Sequence, residues 1–377
     1  MKKNIFTVFL SVILTIIFLY FVIFLKIYFE DYTKERPFLF KSLQNLNFHM
    51  KYSEKMHHLR DNNRSYGSPG KPENFLFTTI NKFSPDKKNI LLQGDSWIEQ
   101  GVVQEKSKKK LVRFAKEKNY GLINAGISSF SPSLMMIQYE VLEKDFNFRP
   151  SIVVAYIDQT DLGDEYCRYK KNRIFDKNDN LISIKSESYT RKLYDLIELY
   201  TWSEILLNEN PKVVQKFQLT NFLIKFKTLR LLNKINDVKE LGWENRFENR
   251  CFFKKITNYL KKPSDKESLY FQERLTDYLN FLKDRSYIKE IILVTFPHKN
   301  HFISNQDKNY YFTNVSNVVE KLILNEKKIR HLNFSKLYLT NEIQINQKFF
   351  ETGDPASHLK EDYHADIFLE KILQNIK

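Results

Sequence analysis

Ser151 to Ile157 (SIVVAYI) is an uninterrupted apolar stretch that stops at Asp158. A run of that length, rich in β-branched residues, reads as a strand buried on both faces, and such strands occur where helices cover a sheet on two sides. Further apolar runs stand at Ile90 to Leu92, Tyr120 to Ala125, Lys289 to Thr295 and Ile329 to Phe334. Helix-periodic segments alternate with them at Glu105 to Lys118, Ser133 to Asp145, Leu269 to Arg285, Tyr311 to Lys327 and Asp362 to Ile376. Ser131 before Pro132 is a candidate cap for the second of these. Strand and helix in alternation predict an α/β fold with parallel pairing and three layers, α/β/α. Ligands then bind at the carboxyl ends of the strands.

The alternation lapses from Gly163 to about residue 265, where Tyr, Phe, Leu, Asn and Lys dominate. Helical periodicity around Arg191 to Asn208 and Lys212 to Lys234 predicts a mostly helical insertion. At the other end, Ile5 to Leu25 carries no charge over 21 residues, enough to cross a bilayer as a helix. Lys2 and Lys3 precede it, which predicts a cytoplasmic N-terminus and an inner-membrane, single-pass protein with its C-terminal domain in the periplasm or exterior. A cleaved signal peptide is the competing reading, but Leu25 runs into Lys26-Ile27-Tyr28-Phe29 without the small residues of a cleavage site. Residues 30–87 turn polar, with a turn-forming tract at Ser65 to Pro72, and read as a stalk and lead-in to a domain over 88–377. His57 and His58 in that tract are expected on a solvated surface, since sequence neighbours do not share a helix face.

The net charge of +15 is spread along the whole chain rather than gathered in an arm, and no zinc-finger or RNP-like spacing accompanies it, so no nucleic-acid partner is expected. Cys167 and Cys251 are the only cysteines; they lack metal-ligand spacing, and one bridge between them is open in an oxidising compartment. No metal site is expected.

Four short stretches fall at strand ends or before the last helix: Gly94-Asp95-Ser96, Asn124-Ala125-Gly126, Asp158-Gln159-Thr160-Asp161, and Asp354 with His358. A serine in a strand-to-helix turn exposes its oxygen beside backbone N–H groups, where a nucleophile belongs. These blocks resemble the SGNH family, the GDSL-type esterases and acyl hydrolases. The resemblance covers Lys88 to Asp161 and Leu269 to the C-terminus, and implies a flavodoxin-like three-layer α/β/α fold. It implies Ser96 as nucleophile, His358 as general base and Asp354 as the acid that orients it. The oxyanion hole would draw on the backbone N–H groups of Ser96 and Gly126. Thr160 stands where the family has an oxyanion-donating Asn, and Asp158 where it has Gly. Thr160 is the candidate third donor, with Gln159 as its substitute.

Asp95, Asn124, Gln159, Asp161 and Arg168 are candidate substrate contacts. His364, beside Asp362 and Asp366, is the alternative base, and His298 and His301 are candidate pocket residues. The set predicts a membrane-anchored serine esterase that needs no cofactor and acts on an acylated glycan or lipid-linked sugar. Two alternatives stay open: an O-acyltransferase on a cell-surface polysaccharide using the same site, and a non-catalytic glycan-binding module.

Overall fold

The structure is a computed structural model that describes residues 11–20, 48, 51–52, 54–60, 72–185, 265–297, 310–336, 350–351 and 358–376. The chain divides into two compact units, Met1–Met50 and Lys51–Lys377. In the first, residues 11–20 are helical and exposed, and the Thr15 hydroxyl donates to the Ser11 carbonyl at 2.8 Å. Among the described residues no helix is long and apolar enough to cross a membrane. The remainder of Ile5 to Leu25 lies outside them, so the expected span rests on its sequence.

The second unit is built on a six-stranded sheet of β1 (Thr78–Asn81), β2 (Asn89–Gln93), β3 (Gly121–Asn124), β4 (Ile152–Tyr156), β7 (Glu290–Thr295) and β8 (Ile329–Asn333). Its order is β1-β3-β2-β4-β7-β8. β1 is antiparallel to β3 and every other pairing is parallel. Counted along the chain, the parallel strands lie second, first, third, fourth, fifth. That is the flavodoxin-like order, and its switch point lies between β2 and β4. All five strands expected from apolar runs are present.

Side chains alternate across the sheet and both faces are buried, as parallel strands require. On one face Ile90, Leu92, Val154 and Ile292 pack with Leu111 of α2 (Glu105–Glu117) and with Phe368 and Ile372 of the closing helix. That helix is α-helical over Glu361–Tyr363 and Glu370–Gln374, with a π turn over His364–Leu369 between them. On the other face the buried Gln93 amide donates to Met135 and Gln138 of α3 (Pro132–Phe146), both at 2.9 Å. Its oxygen accepts from Tyr278 of α4 (Asp265–Lys283) at 2.9 Å, so one polar strand residue ties two covering helices. Ser131 makes no side-chain cap to α3; its hydroxyl and the Ser133 N–H both donate to Glu165, each at 2.7 Å. A carboxylate from outside the helix therefore serves its first turn.

Two expectations change. The lead-in is not a stalk from Lys51 onward: Tyr52, Met56, Leu59 and Phe75 to Phe77 are buried in the second unit, and β1 joins the sheet edge. Those apolar side chains gain more from burial than a polar tract suggests. His57 and His58, expected in solvent, are 2% and 4% exposed. The insertion opens with helical turns over Asp164–Tyr169 and Lys170–Asn172, followed by an antiparallel hairpin of β5 (Arg173–Phe175) and β6 (Leu181–Ile184). Its expected helices lie at residues 186–264, outside those described.

Candidate active site

β2 ends at Gln93 and the chain turns through Gly94, whose φ of +147° few side chains adopt. A Cβ there would stand 2.9 Å from both Ile98 Cγ1 and Tyr156 Cβ. The next helix, α1 (Ser96–Val103), starts at once, with Asp95 as its cap: the Asp95 carboxylate accepts the Trp97 N–H at 2.9 Å. Ser96 is thus the first residue of a helix, where backbone N–H groups have no partner within the helix and the dipole is positive. That field favours negative charge growing near Ser96.

His358 Nε2 lies 2.6 Å from Ser96 Oγ, across 262 residues of sequence. A carbonyl contact fixes the segment that delivers it: the Glu351 N–H donates to the His358 carbonyl at 2.8 Å, beside a bridge between Phe350 and Leu359. The His358 ring sits 6.2 Å from the buried Trp97 ring. Asp354, the expected orienting acid, lies outside the described residues, as do His298 and His301. His364 is not the base. It is fully buried, its Nε2 donating to the Trp97 carbonyl at 2.8 Å and its Nδ1 accepting from Ser107 Oγ at 2.8 Å. A carbonyl only accepts, so Nε2 carries the proton. Burial pulls this imidazole down to about 3, keeping it neutral.

The expected second donor changes. The Gly126 N–H is engaged by Asn124 Oδ1 at 3.1 Å. Gly126 is needed for space instead, because a Cβ would stand 2.4 Å from Glu99 N and 2.6 Å from Ile98 C. Asn124 is fully buried and braces the turn rather than facing a substrate: its amide donates to the Ile98 carbonyl at 2.7 Å and its oxygen accepts from Arg60 at 3.0 Å.

Within the third block, Asp158 closes a tight polar turn. It accepts the Thr160 N–H at 3.1 Å, the Thr160 hydroxyl, and the Tyr156 hydroxyl at 3.1 Å. Thr160 is therefore turned to Asp158 and not to the nucleophile. Gln159 is 3% exposed, and neither its amide nitrogen nor its oxygen has a hydrogen-bond partner among the described residues. Of the block, it holds the donor still to be matched.

Asp95, Asp158, Asp161 and Asp164 are all buried near one another. Burial first, and then the neighbouring carboxylates, push Asp95 and Asp161 well above the usual carboxylate range. Asp161 accepts the Asp158 N–H at 3.0 Å and is sealed from solvent. Burial lifts Asp164 to about 7, opposed by Arg168, whose guanidinium is 3.6 Å away. Arg168 itself is buried. Among the described residues no group of three His, Cys, Asp or Glu side chains converges as a metal site requires.

Arg60, His58 and Glu99 also hold the site, and sequence reasoning missed all three. No motif marks them, and the first two fall in the tract read as a stalk. Cys167, in the π turn Asp164–Tyr169 just after the third block, is disulfide-bonded; Cys251 is the only other cysteine of the chain.

No family model and no curated protein matches the sequence. Among solved structures, the chain is similar to a catalytic mutant of Axe2, an acetylxylan esterase from Geobacillus stearothermophilus. The identity is 12%, over 78% of this chain and 96% of that one, with a TM-score of 0.39. It is similar to LAE5, an alpha/beta hydrolase enzyme from the metagenome of Lake Arreo, at 10% identity over 76% and 95% of the two chains, with a TM-score of 0.39. A GDSL-like lipase from Bacteroides thetaiotaomicron gives 10% identity over 79% and 93%, with a TM-score of 0.36. Likenesses this distant leave the functional reading to the chain's own residues.

Proposed function

We propose that this chain is a serine esterase of the SGNH type that removes acyl groups from a surface glycan or lipid-linked sugar. The observation that carries the reading is the 2.6 Å contact between Ser96 Oγ and His358 Nε2 at the head of α1, on the switch-point edge of the sheet. A serine hydroxyl is a weak nucleophile until a base takes its proton, and this pair is within the reach that transfer needs. Ser96 attacks the ester carbonyl as His358 accepts the proton. The carbonyl oxygen becomes an oxyanion beside the first N–H groups of α1, and His358 returns the proton to the leaving alkoxide. Water, activated by the same imidazole, then releases the acyl group from Ser96. Asp354 orients His358. No metal or organic cofactor takes part.

We place the catalytic unit outside the cytoplasm, tethered to the inner membrane by Ile5 to Leu25. Lys2 and Lys3, the uncharged run after them and the disulfide at Cys167 support this placement. A membrane-facing, acylated glycan or lipid-linked sugar is the substrate such a placement favours, and nucleic acid is no partner. The test is hydrolysis of a short-chain nitrophenyl ester by the full chain in detergent, beside Ser96→Ala and His358→Ala. Both variants are expected to lose turnover by at least about a thousandfold. Turnover that survives Ser96→Ala would overturn the esterase reading. Adding an acceptor sugar separates hydrolysis from O-acyl transfer, since transfer yields an acylated acceptor at the expense of free acid.

A further inference from the structure

The turn after β3 lies against the head of α1. The Ile127 N–H donates to the Gly94 carbonyl at 3.1 Å, the Ser128 N–H to Glu99 at 3.0 Å, and Asn124 to the Ile98 carbonyl at 2.7 Å. The N–H of Gly126 goes to Asn124 and that of Phe130 to the Ile127 carbonyl at 2.9 Å. Two N–H groups between β3 and α3, those of Ser129 and Ser131, donate to none of the described groups, and only that of Ser129 shares a peptide unit with a carbonyl held by a buried side chain. Ser129 is half-buried and holds φ at +62°, a left-handed conformation uncommon for a residue with a side chain. Strained backbone of this kind persists only where its surroundings enforce it.

The enforcing contacts are specific. Three carbonyls of the turn are each held by a buried side chain: Gly126 by Arg60 Nε at 2.8 Å, Ser128 by His58 Nε2 at 2.7 Å, and Ser129 by the Tyr169 hydroxyl at 2.6 Å. The Ser128 carbonyl and the Ser129 N–H belong to one peptide unit. In a trans peptide they point in opposite directions, so the side chain that grips the carbonyl also aims the N–H. His58 is itself fixed, its Nδ1 lying 2.9 Å from His57 Nδ1. Because a carbonyl only accepts, His58 carries its proton on Nε2, and Nδ1 is left to accept from His57. Burial keeps both rings neutral, with His58 pulled down to about 3.

We propose that His58 is a positioning residue that aims the Ser129 N–H as a donor to the oxyanion formed at Ser96, an inference that rests on the esterase reading above. It transfers the second-block donor from Gly126 to Ser129 and gives the buried lead-in a part in the chemistry. Asn and Gln separate the two nitrogens of His58. His58→Gln keeps a donor near the Nε2 position for the Ser128 carbonyl; His58→Asn keeps a polar group near Nδ1 but falls short of that carbonyl. With nitrophenyl acetate, His58→Asn is expected to lose about a hundredfold in kcat with KM within about threefold of wild type, and His58→Gln to stay within about tenfold. An Asn variant with wild-type kcat, or equal losses in both variants, overturns the proposal while wild-type turnover and its loss in Ser96→Ala leave the esterase reading standing.

A second measurement needs no variant at position 58. In wild type labelled with 15N-serine, the Ser129 amide proton is expected to move downfield when a phosphonate forms its tetrahedral adduct on Ser96. An adduct that leaves that resonance in place overturns the proposal. Absence of an adduct at Ser96 overturns the esterase reading and this inference with it.

Discussion

Ser96 and His358 meet at hydrogen-bond distance because a helix start and a chain end are brought to one sheet edge. Both were legible in the sequence as candidates, since the proposed nucleophile and base must be of these types. The donors were not. Which N–H groups of a turn remain for an oxyanion depends on which are engaged within it, and the Gly126 N–H is taken by Asn124. Thr160 makes the same point: its hydroxyl bonds Asp158, so Thr160→Val should leave kcat within about tenfold of wild type, unlike loss of a true oxyanion donor, which commonly costs a hundredfold or more. Steady-state rates on a nitrophenyl ester check this. At His364 the issue is stability. Its folded value of about 3 lies below the unfolded value near 6.5, so the unfolded chain binds more protons between the two and stability falls as pH drops through that window. The loss from this residue between pH 7 and pH 4 is roughly 3 kcal/mol. Urea unfolding of wild type and His364→Gln across that range should show the variant with the flatter acid limb; parallel limbs would contradict the assignment.

At the scale of elements, the apolar runs marked all five parallel strands because a strand buried on both faces leaves a continuous signature. β1 went unread: TTIN is a short edge strand of mixed burial whose pattern differs little from a loop. The seat of α1 against the β3 turn was also hidden, although it explains Gly126. A methyl group there would meet backbone atoms of Ile98 and Glu99, which have little freedom to withdraw. Gly126→Ala is expected to destabilise by about 1–3 kcal/mol or more and to lower kcat by shifting the helix that carries Ser96. Thermal unfolding and turnover should fall together. The closing helix is held mainly by burial of Phe368, Leu369 and Ile372. Its links from Lys106 to Asp362 and Asp366 are exposed to solvent, which screens them, and add little to that burial.

Across the whole molecule, the sequence separated an uncharged N-terminal run from an α/β body, and the structure draws a boundary at Met50 and Lys51. The lead-in does not stand apart from that body up to residue 87, since Tyr52, Met56, Leu59 and Phe75 to Phe77 are buried in it. Its polar average concealed His57, His58 and Arg60, whose burial depends on partners more than 60 residues onward. The disulfide at Cys167 is a property of the same scale, because a bridge restricts the unfolded chain as a whole. Cys167→Ser should cost about 2–5 kcal/mol, read as a lower Tm, and reductant should lower the wild-type Tm toward that of the variant. The measurement that bears most directly on the central claim is trapping of the acyl-enzyme. A slowly released ester is mixed with the protein, quenched in acid, and the peptides are weighed by mass spectrometry. One acyl group is expected on the peptide carrying Ser96 and none in Ser96→Ala. An acyl group on another residue, or turnover with no covalent intermediate at Ser96, would contradict that claim.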